Sequence, residues 1–319
     1  MSKVLFFAGG FVGIFLSLFF RDLSFLNIQD ELSSQIFWQI RLPRLLLTYI
    51  CGGGLSIVGL FYQSLFKNDL ASPYTLGVAS GASFGASFVL WLGLSLSFSI
   101  GPFSFDTISI GAFLGALSCV ALILSLAHLK KNHSPHFLIL AGVMISFIFS
   151  SAIMLIQFLA GELGLQKMVY WLMGDLGIVG LESLSLLYPL SFLVLFYAYK
   201  KRDLTNILSM GDRFAISKGI NAQKERKKIF ITLSLFVSYI VSLCGPIGFV
   251  GLMVPHMVKE RFGANLKGSF FPSFFGGGFF LVWCDFFSRS LFTQMSVPIG
   301  VITSFLGGGF FLYLLLKRR

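Results

Sequence analysis

The residues with chemistry to offer are few, and they are mostly basic. Arg41 and Arg44 stand three apart in WQIRLPR, residues 38–44, directly before an apolar run, and nine more Lys or Arg crowd into residues 200–228. Such cations recognise opposite charge or anchor at an interface by snorkelling; they break no bonds. No Ser/His/Asp set, HExxH pair or paired carboxylate is spaced for catalysis, and the GxxxxGK[ST] phosphate loop is missing. Cys51, Cys119, Cys244 and Cys284 lie within or beside apolar runs without a CxxC spacing, which reads as packing. His128, His133 and His136 share a short basic loop but bring no Cys or carboxylate, so neither a metal nor a cofactor is expected. If the chain drives anything, the energy enters through a partner.

The elements that must position these residues are membrane helices. The chain of 319 residues is 56% hydrophobic and only 12% charged, with a mean hydropathy of +0.86, a balance that belongs in a bilayer. The net charge of +11 fits basic loops on one side of a membrane, and nucleic acid is not an expected partner. Apolar runs fall at 4–20, 44–66, 76–98, 107–128, 137–160, 182–199, 229–246, 247–258, 270–288 and 298–316. The first is too long for a signal-peptide core and lacks a small-residue cleavage site, so it reads as a retained span. The eighth, bracketed by Gly245-Pro246 and Pro255-His256, reads as a half-span or broken helix buried among the others.

Charge tests that count. Ten spans with both termini cytoplasmic put 19 of the 24 basic residues inside, as the positive-inside rule requires. Outside remain Arg21, Arg41, Arg44, Lys167 and Arg289, among eight acids. The span interiors hold no Asp, Glu, Lys or Arg apart from Asp285 near the outer end of the ninth, which argues against an ion-coupled carrier. A membrane-embedded structural or assembly protein is the other rival. Gly81 and Gly85, and Gly111 and Gly115, are GxxxG pairs; Gly52–Gly54, Gly276–Gly278 and Gly307–Gly309 are triplets, placed for close helix packing or yielding. Segment 200–228 reads as two short helices around a Gly, with Asp212 capping the second and apolar Leu204, Ile207, Leu208, Phe214 and Ala215 asking for burial.

Three blocks go beyond composition: RLPRLLLTYICGGGLSIVGLFYQSLFKNDLASPYTLGVASGASFGA at 41–86, LTNILSMGDRFAISKGINAQKERKK at 204–228, and CGPIGFVGLMVPHMVKERFG at 244–263 with DFFSR at 285–289 and PIGVITSFLGGGFFLYLLLK at 298–317. Together they closely resemble the permease subunits of ABC importers for iron siderophores, haem and cobalamin. The resemblance runs from about residue 36 to the C-terminus. It implies an all-α integral membrane fold of about ten transmembrane helices like the cobalamin-importer permease, one permease domain over 1–319 containing a cytoplasmic coupling loop at 200–228. It further implies a multi-pass subunit of the cytoplasmic membrane, paired with a second permease subunit, two cytoplasmic ATPases and an external substrate-binding protein. The cargo expected is an iron chelate such as a ferric siderophore or ferric citrate, with cobalamin or haem as alternatives.

Residue by residue, the resemblance assigns ATPase coupling to Leu204, Asn206, Leu208, Gly211, Asp212, Ala215, Gly219 and Ile220. It assigns docking of the acidic binding protein to Arg41, Arg44 and Arg289, where rim charges steer and orient. The fifth and tenth helices of the family flank the pathway, which points to Met144, Ser146, Ser150, Ser151, Met154 and Gln157. Asp69, Lys259, Ser296 and Gly309 depart from the family pattern, putting local geometry in doubt. At the first of these departures, Asn68 and Ser72 can cap and Pro73 can still break the chain.

Overall fold

The structure, a computed structural model, describes residues 3–19, 31–94, 96–100, 103–130, 134–177, 184–291 and 296–317. Each of the ten apolar runs is a helix: α1 (Lys3–Phe19), α3 (Leu42–Phe66), α4 (Val78–Trp91), α5 (Thr107–Leu129), α6 (Pro135–Leu159), α8 (Leu187–Met210), α10 (Ala222–Cys244), α11 (Val250–Phe262), α12 (Leu266–Ser290) and α13 (Ile299–Lys317). Six of them, α3, α5, α6, α10, α12 and α13, are long and apolar enough to cross a membrane by length and composition. The eighth run is α11, whose 13 residues rise only about 20 Å. Left-handed backbone at Gly245 (φ 68°) and Phe249 (φ 66°) turns the chain into it, and it begins against α3, where Gly251 meets the backbone of Leu55.

Helix α3 is the core of the bundle. It is buried without interruption from Cys51 to Phe66, the pattern of a helix with neighbours on every side. Glycine makes this possible where backbones touch. A Cβ on Gly52 would strike the Gly277 carbonyl, one on Gly277 would strike the Gly52 carbonyl, and one on Gly59 would strike the Gly251 carbonyl. The two GxxxG pairs meet each other in the same way: Gly81 and Gly85 on α4 lie against the backbone of Gly115 and Gly111 on α5.

The structure also departs from the sequence expectation. Helix α8 begins at Leu187 and continues unbroken to Met210, so Leu204–Leu208 is the end of a long helix and not a separate short one. Only α9 (Asp212–Ser217) stands alone, and Asp212 does not cap it; its carboxylate is drawn instead to Arg226, 2.6 Å away. Besides α9, the ten runs did not announce α2 (Glu31–Ile36) with a π-helical turn at Phe37–Arg41, an antiparallel hairpin of β1 (Ser97–Ile100) and β2 (Phe103–Asp106), which takes the last two residues of the third run after α4 ends at Trp91, or α7 (Glu162–Leu172). Each is too short to show a membrane period. Asn68 and Ser72 do cap, accepting from the amides of Leu70 (2.9 Å) and Thr75 (3.1 Å).

Contacts sort the helix termini into two ends. Arg44, Asp285, Arg289 and the C-terminal turn of α1 meet at one, the Arg44 end. Asn206, Asn265 and the 211–226 segment meet at the other, the Asp212 end, toward which the start of α1 and the close of α13 point.

The glycine contact generates a sharp expectation. Gly277→Leu should destabilise the detergent-solubilised protein by at least the roughly 1–3 kcal/mol of an overfilled core, because a facing carbonyl has no rotamer to yield. Gly9→Ala, whose Cβ would meet nothing within 4 Å, should leave the melting temperature unchanged or slightly higher. Equal melting of the two variants would show that α3 and α12 are not in backbone contact.

Candidate functional site

At the Arg44 end, one carboxylate organises the arginines. Asp285 is only 1% exposed; Arg44 reaches its Oδ1 through Nε (2.9 Å) and Nη2 (2.8 Å), and Arg289 Nη2 lies 2.8 Å from its Oδ2. Arg289 also donates to Ser17 Oγ at 2.7 Å, and Arg41 Nη1 to the carbonyl of Leu18 at 3.0 Å. The cluster therefore ties α1, α3 and α12 together, with two guanidiniums, Arg44 and Arg289, sharing the one carboxylate among the described residues. Arg44 (17% exposed) and Arg289 (29%) keep part of their surface open, so the site can present positive charge from a fixed frame. Asp285 was not singled out by sequence reasoning as a site residue. The available signal was its spacing of four from Arg289, one turn apart on a single helix.

At the Asp212 end, the segment expected to couple is mostly turned inward. Leu208 and Ala215 are fully buried, while Leu204 and Ile220 pack against the core from its edge. Asn206 donates to Asn265 Oδ1 (2.8 Å) and accepts from the Leu266 amide (3.0 Å), fastening the end of α8 to the start of α12. Gly211 and Gly219 sit at φ 126° and 75° on either side of α9, where a side chain would be strained. Arg226, 1% exposed, holds Asp212 from α10, and Glu225 bridges Lys201 (2.7 Å) and Lys228 (3.2 Å). These hydrogen bonds hold the carboxyls of Asp212 and Glu225 below the usual carboxylate range. A depressed carboxyl stabilises the fold above its unfolded pKa, and the contribution is lost only as pH falls through the folded one; the frame is intact at neutral pH.

Of what this frame displays, the sequence reading named Phe214 and missed Met210 and Ile216. Met210 (66% exposed), Ile216 (66%) and Phe214 (41%) surround α9 with their apolar side chains outward, and Lys218 lies over the Phe214 ring at 5.9 Å. Ile216 is the plainest case: on a six-residue helix no periodicity marks which side faces out.

The pathway residues on α6 divide. Met144, Ser151 and Met154 are exposed; Ser146, Ser150 and Gln157 are half-buried, Ser146 donating to the Gly142 carbonyl at 2.8 Å. Phe147 and Phe158 on α6, and Phe305 and Leu316 on α13, extend the uncovered apolar surface. Of the departures, Asp69 and Lys259 are brought together at 3.5 Å, a Cβ on Gly309 would meet open space, and Ser296 lines a concavity of about 540 Å³ with Lys167, Trp171 and Asp175. His128 closes α5 and His136 opens α6, while His133 falls outside the described residues.

Comparison with known proteins places this geometry. Residues 4–317 match the FecCD transport family. The hemin transport system permease HmuU of Yersinia pestis is 32% identical over 95% of this chain and 90% of its own length. The vitamin B12 import permease BtuC of Serratia proteamaculans is 32% identical over 89% and 83%. A solved ABC transporter assigned to the metal-chelate type, in an inward-facing conformation, superposes with a TM-score of 0.86 at 27% identity, covering 99% of this chain and all of that one.

The Asp285 cluster predicts non-additivity. Asp285→Asn strands two guanidiniums and should cost about 3–5 kcal/mol, the scale of a broken buried pair. In a double-mutant cycle with Arg44→Gln, melting of the purified protein should give a coupling energy of about 1–3 kcal/mol. A coupling near zero would mean that the pair contributes nothing to holding α3 against α12.

Proposed function

Because this chain belongs to the FecCD transport family, matched from residue 4 to residue 317, we propose that it is the membrane-spanning permease subunit of an ATP-driven importer for an iron chelate. The permease role is common to its named relatives. The observation that carries the reading to this chain's own residues is the apolar trio of Met210, Phe214 and Ile216, exposed on a frame fixed by ion pairs and turn glycines. Apolar side chains so presented ask for a protein partner, and a chain without a nucleotide site needs one that hydrolyses ATP. In this reading the Asp212 end is cytoplasmic, α9 seats in the partner ATPase, and residues 204–220 carry its motion into α8 and α10.

The Arg44 end then faces outward. Arg41, Arg44 and Arg289 receive acidic groups of an external binding protein; charges at a rim orient docking more than they add affinity. The uncovered faces of α6 and α13 meet a second permease subunit and enclose the path, with Met144, Ser151 and Met154 toward the cargo. Mild, bulky side chains suit a large chelate that passes without being held. A ferric siderophore or ferric citrate is the cargo favoured; relatives named for hemin and vitamin B12 transport make those the competing cargoes to assay.

Reconstitution tests the reading. Proteoliposomes holding the chain with its ATPase and binding protein should accumulate ferric chelate only with ATP. Ile216→Asp, on a side chain 66% exposed, should leave folding intact while lowering ATPase co-purification and uptake by about tenfold or more, the effect of losing an interface anchor worth over 1 kcal/mol. Uptake by the lone chain under an ion gradient would overturn the proposal.

A further inference from the structure

A groove of about 760 Å³ opens between α5, α8 and α10, away from the arginine cluster, from α9 and from the exposed faces of α6 and α13. Its walls are apolar, with Leu114, Val194 and Leu235 among them, and Leu114 (58% exposed) and Leu235 (41%) form an open lip. Its lining changes character toward the Arg44 end, where Asp106 and Ser109 stand at the mouth. Asp106 is exposed and makes no hydrogen bond to cap α5.

The dimensions fit one leaflet of a bilayer. From Asp106 to Leu114 on α5 the chain rises about 12 Å at 1.5 Å per residue, close to half of the roughly 30 Å hydrocarbon core. The mouth stands at the start of a helix long and apolar enough to cross a membrane, and the floor lies about 12 Å along it. Thr232, Tyr239 and Ser242 are the hydroxyl-bearing residues of α10 in the wall, and apolar side chains make up most of the rest, a surface suited to an acyl chain. Among the described residues, the carboxylate at the mouth is the single ionised group in the lining. It repels an anionic headgroup and attracts a cationic one.

We propose that this groove is a lipid-binding site: it takes an acyl chain of a phospholipid whose headgroup carries a primary ammonium, with the ammonium on Asp106. The site is built from the described residues of this one chain and does not depend on which end of the bundle is cytoplasmic or on what is transported. The full-length protein, placed in nanodiscs of equal phosphatidylethanolamine and phosphatidylglycerol and then released, should retain about one lipid per chain in native mass spectrometry, with the ethanolamine lipid preferred. Leu235→Trp fills the groove from its lip and should abolish retention; Leu114→Trp fills it from the opposite wall and serves where the first variant fails to fold. Asp106→Asn should keep the lipid but reduce the headgroup preference by about two- to fivefold, the size of one solvent-facing ion pair. Retention unchanged in a folded tryptophan variant, a wild-type preference for phosphatidylglycerol, no preference between the two lipids, or a protein released by the tryptophan in place of a lipid would each overturn the assignment.

Discussion

The close approach of two glycine backbones, Gly52 on α3 and Gly277 on α12, sets the register on which the features at both ends of the bundle depend. The helices run antiparallel, so a single point of contact fixes every other pairing along them. Arg44 lies eight residues from Gly52, and Asp285 lies eight residues from Gly277 toward the same end; each rises about 12 Å, and they meet as an ion pair. In the opposite direction the same register brings the ring of Phe61 to that of Phe270, 6.3 Å between centroids. A slip of one residue would swing Asp285 about 100° around its helix, parting its carboxylate from Arg44 and leaving that guanidinium without its partner.

That dependence explains which parts were legible in the sequence. Long apolar runs declare themselves because a bilayer demands about twenty such residues in a row, and all ten became helices. The GxxxG spacing showed that close packing was needed, but only the fold shows that the pair on α4 meets the pair on α5. Short elements carry no such demand: α7, with 11 residues, and the hairpin at 97–106 show neither a membrane-length run nor a clear period. The end of α8 was misjudged because Lys200, Lys201, Arg202 and Asp203 mark the close of an apolar run, and the close of a run is not the close of a helix. A helix that leaves the membrane needs only new partners, which Lys201 finds in Glu225.

The candidate sites were legible by type and not by orientation. Basic residues could be counted on one side, and the family blocks could be matched residue by residue. Whether Asp212 capped or bridged depended on Arg226, fourteen residues away and almost wholly buried. A buried arginine is costly unless paired, so Asp212 is held where Arg226 requires it and not where the helix start would. Leu208 and Ala215, likewise, are buried and support the segment from within. The surface is supplied by Met210, Phe214 and Ile216.

A firm frame at each end also limits how the bundle can move. Helix α12 is a single 25-residue helix, about 37 Å long, fastened to α8 through Asn206 at one end and to α1 and α3 through Asp285 and Arg289 at the other. Sliding α3 along α12 would drive the glycine carbonyls into Cβ atoms of the neighbouring turns, such as Leu281, which already lies against Gly52. Packed interfaces of this kind change by discrete steps or not at all. Any force arriving at α9 therefore finds α3 and α12 moving together, and compliance must come from interfaces without such locks. The open flanks of α6 and α13, where side chains and not backbones meet whatever lies beyond, are where this chain leaves room for it.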